Sequence, residues 1–263
     1  IHVSSKNQQL DIVLRDGVEL NEVNIVTRKL GTMKLRSSVM NEDMISSAEL
    51  SRAACCNLGE SFVTNPSVDV SYSDAATGAK QIKLLGLSGT YVQMLTENIP
   101  NYRGAAAPYG LGYVPGPWMQ SIQVSKGTSS VKNGYEAITG QINVEFKKPQ
   151  LPEADWVSAN LFASTTNRYE ANADATLKLS KRWSTSLLAH YENETKAHDG
   201  NDDGFVDIPQ VEQYNVWNRW AYMGDHYVFQ AGIKALSETR TSGQANHGGT
   251  MHSGDLYKVG IDT

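Results

Sequence analysis

Apolar and polar residues alternate with period two along the second half of this chain. In "YEANADATLKLS", Tyr169, Ala171, Ala173, Ala175, Leu177 and Leu179 share one face. Glu170, Asn172, Asp174, Thr176, Lys178 and Ser180 share the other. The runs "WVSANLFAS", "WSTSLLAHY", "YNVWNRWAY" and "YVFQAGIKA" repeat the pattern, with Asn218 as the exception on the apolar face of "YNVWNRWAY". Period two predicts β-strands, and each run is about as long as the roughly 9 to 11 residues of a tilted strand crossing a bilayer. Tyr and Trp gather at the run ends, where an aromatic belt would lie. Short connectors ("SKR", "GD") alternate with long ones ("ETKAHDGNDDGFVDIPQVEQ", "TRTSGQANHGGTMHSGD"). This is the pattern of antiparallel strands in a transmembrane β-barrel. About five strands fall short of the roughly eight that close the smallest membrane barrels. Either the strands are the first of a longer barrel, or they belong to a soluble β-sandwich.

The first half is patterned differently. "SSAELSRAACCNLGESF" reads as a helix with a Ser46–Glu49 capping box and Leu50, Ala54 and Leu58 on one face, stopped at Asn65-Pro66. "SVDVSY", "QIKLLGL", "VQMLTENIP" and "SIQVSKG" read as short strands separated by Gly, Asn and Pro. The expected fold is a mixed α/β domain followed by antiparallel strands of an incomplete transmembrane β-barrel, with the change of character at "KKPQLPEAD", Lys147 to Asp155.

Charge and composition narrow the function. The 263 residues carry a formal charge of −5, which argues against nucleic acid as a partner. Mean hydropathy is −0.40, and no apolar run approaches the roughly 20 residues of a membrane helix. Cys55 and Cys56 are adjacent and suggest no disulfide framework. Ser, His and Asp occur in no nucleophile-elbow or triad context, so no enzyme is expected. The chain opens on Ile1, as expected after removal of a signal peptide or for an internal piece of a longer protein.

The stretch "IQVSKGTSSVKNGYEAITGQINVEF", Ile122 to Phe146, holds no nucleophile or phosphate loop. It resembles the plug-domain signature of TonB-dependent outer-membrane receptors. Ile122, Val124, Lys126, Gly127, Ser130 (one place late), Gly134, Ala137, Gly140, Ile142, Asn143 and Val144 fill that pattern, with Asn133 where an aromatic is usual. "LGESFVTNPSVDV", "QIKLLGLSG" and "MLTENIPN" resemble further plug segments in the family's order, with Leu85 replacing an Arg and Glu97-Asn98 replacing Asp-Gly. The resemblance implies that the signature's glycines allow close contact between plug and barrel wall. It implies four regions: residues 1–20 as the tail of an N-terminal extension of the Bacteroidetes type, 21–30 as TonB box and linker, 31–148 as plug, and 149–263 as first barrel strands. Glu22, Val23, Asn24, Ile25, Val26 and Thr27 would form the TonB box and pair by strand addition with the C-terminal domain of TonB. The implied function is TonB-dependent import of a scarce nutrient (cobalamin, haem, siderophore or metal chelate) across the outer membrane of a Gram-negative cell. Lipid would surround the barrel, and a surface lipoprotein is a further partner the resemblance leaves open.

Candidate sites follow. "YRGAAAPYGLGYVPGPWM" is rich in aromatics, and Tyr102, Arg103, Tyr109, Tyr113 and Trp118 could stack on a ligand or pack the plug against the barrel. Asp199, Asn201, Asp203, Phe205 (through its carbonyl) and Asp207 have the spacing of a calcium loop, though Gln210 stands where a bidentate Glu belongs. Structural calcium competes there with a solvated turn. His247, Met251 and His252 could hold a transition metal. The rival to import is a secreted, calcium-stabilised β-domain that binds protein or glycan.

Overall fold

The computed structural model describes residues 32–34, 41–52, 57–62, 65–74, 76–87, 89–104, 107–128, 136–149, 156–245 and 257–263. The strands fall into three sheets. The first has six strands in the order β1-β2-β7-β8-β5-β6: β1 Thr32–Lys34, β2 Asn41–Ser46, β5 Val92–Thr96, β6 Ile99–Pro100, β7 Met119–Lys126 and β8 Gly140–Phe146. Only the β5–β8 pair is parallel. A separate hairpin joins β3, Val68–Asp74, to β4, Ala79–Leu84. The third sheet is an antiparallel meander of six strands: β9 Trp156–Ala163, β10 Tyr169–Lys178, β11 Trp183–Glu194, β12 Gln210–Met223, β13 Val228–Gly243 and β14 Lys258–Asp262. Among the described residues no helix is long and apolar enough to cross a membrane, which says nothing of a strand-built barrel.

The meander buries its polar face. Along β10, Glu170, Asn172, Asp174 and Thr176 are buried, while Tyr169 and Leu177 on the opposite face are exposed. Val157, Leu161 and Ile233 on the outer face are 77%, 82% and 80% exposed. A soluble sandwich would have the opposite arrangement, so this surface suits hydrocarbon. Rings pair across β11 and β12 near both ends: Trp183 with Tyr222 at 5.1 Å and Tyr191 with Tyr214 at 4.9 Å between centroids. At about 3.3 Å per residue the strand rises roughly 26 Å from Trp183 to Tyr191, about 20 Å along the membrane normal at a tilt of roughly 40°, most of the ~25 Å apolar band of a membrane barrel. Asn218 on that face has its amide satisfied: it donates to Thr185 Oγ1 at 3.3 Å and the Ser186 carbonyl at 3.2 Å, and Trp220 Nε1 donates to its oxygen.

The first sheet and the hairpin pack against the polar face. Their core holds Ile45, Leu58, Phe62, Leu84, Ile122 and Phe146, and it reaches Leu188 of β11. Phe146 meets Trp217 of β12 edge-on at 4.8 Å. Charged ties cross the seam, among them Arg168 to Glu60 at 2.9 Å. Arg219, 5% exposed, donates to Glu97 at 2.8 Å and to the Lys147 carbonyl at 3.0 Å, and Lys147 pairs with Asp174 at 3.2 Å.

Glu97 and Asn98 both have positive φ, 51° and 64°, which suits a tight β5–β6 hairpin turn usually built from Asn-Gly or Asp-Gly. Asn143 secures the turn by accepting from the Asn98 amide at 2.8 Å. Its own amide donates to Gln123 at 3.2 Å and Glu145 at 3.0 Å. That explains a buried Asn within the apolar alternation of β8.

Two expectations need correction. Among the described residues the helix over "SSAELSRAACCNLGESF" covers α1, Ser47–Arg52, residues 53–56 lie outside them, and Glu60–Phe62 form a separate 3-10 turn. Ser46 ends β2 immediately before α1, with its hydroxyl buried and making no cap bond. Gly140, expected at the plug–barrel contact, instead faces a neighbouring strand of its own sheet. A Cβ there would lie 2.1 Å from the Ser125 carbonyl oxygen and 2.5 Å from Leu84 Cδ2. Gly140→Ala is therefore expected to destabilise by about 1–3 kcal/mol, measured as a lower midpoint of chemical unfolding; an unchanged midpoint would show that β7 and β8 can separate without cost.

Candidate functional site

The connections 195–209 and 244–257 leave the same end of the meander, and Pro209 of the first meets one end of the packed domain. There the β3–β4 turn touches the wall. Asp74 knits the turn, accepting from the amides of Ala76 at 3.1 Å and Thr77 at 3.3 Å and from the Thr77 hydroxyl at 2.5 Å. The Thr77 hydroxyl bond is the main reason its carboxyl is held below the usual range. Gly78, at φ +66°, presses on Pro209, where a Cβ would come within 2.8 Å of the ring. Arg240 of β13 donates to the Thr77 carbonyl at 3.3 Å.

Two hollows flank this hairpin and share Lys80 and Pro108 as a common wall. The first, about 190 Å³, lies between hairpin and meander. Arg168, in the β9–β10 turn, spans it, reaching Glu60 at 2.9 Å, Glu170 at 2.7 Å and Glu192 at 3.0 Å. Arg240 pairs with Glu238 at 3.0 Å, and its guanidinium lies 5.8 Å from the Tyr109 ring centre. Lys80 stands 5.6 Å from the ring centre of Tyr72, its cross-strand partner, and 4.0 Å from Glu60. Burial lowers the Lys80 pKa, and the Glu60 charge opposes that. The second hollow, about 440 Å³, is apolar below, with Ile82, Val92, Met94 and Leu111, and has Arg103 and Glu136 in its wall.

Three of the five expected ligand residues line these hollows. Tyr102, at φ 53°, packs its ring over Gly110, where a Cβ would come within 2.5 Å of it. Arg103, half exposed, pairs with Glu136 at 2.9 Å. Tyr109 lines the first hollow. The other two serve packing. Trp118 is fully buried in the core. Tyr113 is 7% exposed, its carbonyl accepts from Asn215 at 3.0 Å, and its hydroxyl meets Thr263 Oγ1 at 3.2 Å. Sequence reasoning missed Tyr72, Lys80, Glu60, Arg168 and Arg240. Only Tyr72 and Lys80 left a local signal, as an aromatic and a cation on facing strands.

The Asp199–Asp207 loop turns its oxygens inward. Asp199 accepts from the amides of Asp203 at 3.2 Å and Gly204 at 2.9 Å, Asp203 from Phe205 at 2.8 Å, and Asp207 from Gly200 at 2.7 Å. Asn201 exchanges bonds with Asp203, donating from its side-chain amide at 3.0 Å and accepting the backbone amide at 3.2 Å. Among the described residues no three His, Cys, Asp or Glu side chains gather as a metal site. Glu22–Thr27, Cys55, Cys56, His247, Met251 and His252 lie outside the described residues, as does the extension over residues 1–20.

Residues 34–141 match the TonB-dependent Receptor Plug Domain family. Residues 34–141 are thus a plug domain of the TonB-dependent receptor type. The first sheet and hairpin are the plug, the meander is part of the barrel, and the chain's place is the Gram-negative outer membrane. The vitamin B12 transporter BtuB of Vibrio vulnificus (strain CMCP6) is 24% identical over 185 residues, 70% of this chain and 30% of that protein. The pyoverdine outer membrane receptor FpvA of Pseudomonas aeruginosa PAO1 superposes with a TM-score of 0.64 at 14% identity, covering 78% of this chain and 28% of the receptor. The siderophore receptor PirA of Acinetobacter baumannii gives 0.58 at 17% identity, covering 77% and 31%. The chain thus spans about a third of the length of these relatives, which are receptors and transporters, not enzymes.

Burial raises the Tyr102 pKa from 10.0 to about 12. The unfolded chain ionises first, so the contribution of Tyr102 to stability is complete below pH 10 and lost as pH rises toward 12. Tyr102→Phe should flatten that alkaline decline relative to the unmodified receptor in unfolding midpoints; identical pH profiles would show that the phenol is not sealed. For the Asp199 loop, a thermal midpoint that rises with millimolar calcium would assign it to the ion, and an unchanged midpoint would assign it to a solvated turn.

Proposed function

We propose that this chain is the plug and first barrel strands of an importer that carries a scarce small-molecule nutrient across the outer membrane, driven by TonB. The classes considered are cobalamin, haem, siderophores and other metal chelates. The observation that carries the reading is the pair of hollows beside the plug hairpin, the first bounded by the hairpin, Pro108, Tyr109 and the barrel wall and the second by the hairpin, Tyr102, Arg103 and Leu111. Ligand would seat there through Tyr102, Arg103 and Tyr109, with Tyr72, Lys80 and Arg240 beside them. Lipid would cover the face of Val157, Leu161 and Ile233.

Glu22–Thr27 is the segment proposed to pair with the C-terminal domain of TonB as an added strand, a mode that depends on backbone hydrogen bonds. Proline removes a backbone donor. Val23→Pro with Ile25→Pro should therefore abolish energised uptake of the receptor's nutrient while leaving its binding to intact cells unchanged. Undiminished uptake by the double variant would sink the assignment of this segment; lost binding as well would point to a folding defect.

A further inference from the structure

We infer that the site takes a ligand with no net negative charge, gripped by ring contact and apolar burial instead of by ion pairing. This rests on the import reading and deepens it by naming the charge class of the cargo. The two hollows are lined by the carboxylates Glu60, Glu136, Glu192, Glu194 and Glu238 and by the cations Lys80, Arg103, Arg168 and Arg240. Their formal balance is −1. Each cation also has a carboxylate partner in place: Arg103 with Glu136, Arg240 with Glu238, Lys80 with Glu60, and Arg168 with Glu60, Glu170 and Glu192. A polyanionic chelate would enter a field of its own sign. To gain a guanidinium it would have to displace a partly buried carboxylate and leave that charge unpaired, a poor exchange.

What the site offers freely is different. Tyr72 presents a ring 58% exposed beside the first hollow, and Tyr109 lines the same hollow. The second hollow has Ile82, Val92, Met94 and Leu111 below it and uncharged Ser73, Gln81 and Thr90 around it. These groups suit a neutral chelate with a broad ring or apolar arm and with amide or hydroxyl groups at its edge.

The test is binding to the purified receptor in detergent, by equilibrium dialysis, at low and high sodium chloride. Three probes are compared: cyanocobalamin, a neutral ferric trihydroxamate and a trianionic ferric tris-catecholate. We expect at least one neutral probe to bind about ten-fold or more tightly than the trianion, with little change as salt screens charge. Tyr72→Ala should weaken that probe by up to about ten-fold and Tyr72→Phe should retain it, as ring contact requires. Equal thermal midpoints for the two variants separate lost contact from lost fold. Tighter binding of the trianion, weakening steeply with salt, would overturn the charge assignment and leave the import reading standing. Binding of none of the three, with no TonB-dependent uptake of any, would overturn both.

Discussion

A sheet that turns its apolar side outward must find something polar to do with its inside, and the plug is what it finds. Glu170, Asn172 and Asp174 on β10, His190 and Glu192 on β11 and Arg219 on β12 are all buried. Charged groups are rarely buried unless paired. Arg219 illustrates the solution: Glu97 and the Lys147 carbonyl meet it from the plug while the Trp217 ring lies 4.5 Å from its guanidinium. Lys147 in turn answers Asp174. Buried pairs of this kind add modestly to stability, but removing one partner leaves a charge stranded. They therefore specify how plug and wall fit together more than they hold them together.

That fit places the candidate site. The hairpin reaches the wall where Gly78 lets it press on Pro209 and where Arg240 meets the Thr77 carbonyl. The space left beside this contact is closed by Arg168 and its three carboxylates on one side and by Tyr102, Pro108 and Tyr109 on the other. The long connections are tied as well: the Val206 amide donates to the Gly243 carbonyl at 2.9 Å and the Ala245 amide to the Gly204 carbonyl at 2.8 Å. The segment with calcium-loop spacing is thus a compact piece of the rim, with Asp199, Asp203 and Asp207 each accepting from the loop's own backbone amides.

Much of the scaffold was legible because it is local. The faces of β10 follow from a period of two, and the outer position of Tyr191 and Trp220 follows from the same rule. The signature around Ile142 and Asn143 also carried its meaning, since Asn143 and the Glu97–Asn98 turn are a strand and the hairpin beside it. Local rules failed at other positions. Ser46 had the spacing of a helix cap, yet it pairs in β2 opposite Ser121 and its hydroxyl makes no cap bond. Trp118 stood in an aromatic-rich stretch that looked offered to a ligand, yet the plug core enclosed it.

The sequence by itself determined which segments become strands, which face of each barrel strand is apolar, where the turns fall and which family the chain resembles. All of these depend on neighbours within a few residues. Only the tertiary structure decided that Glu60 meets Arg168, that Glu97 meets Arg219 and that Gly78 lies against Pro209. Those partners are far apart in the chain, and no periodicity relates them. Their meeting is set by how one sheet seats against another, and the charge balance of the candidate site follows from that seating.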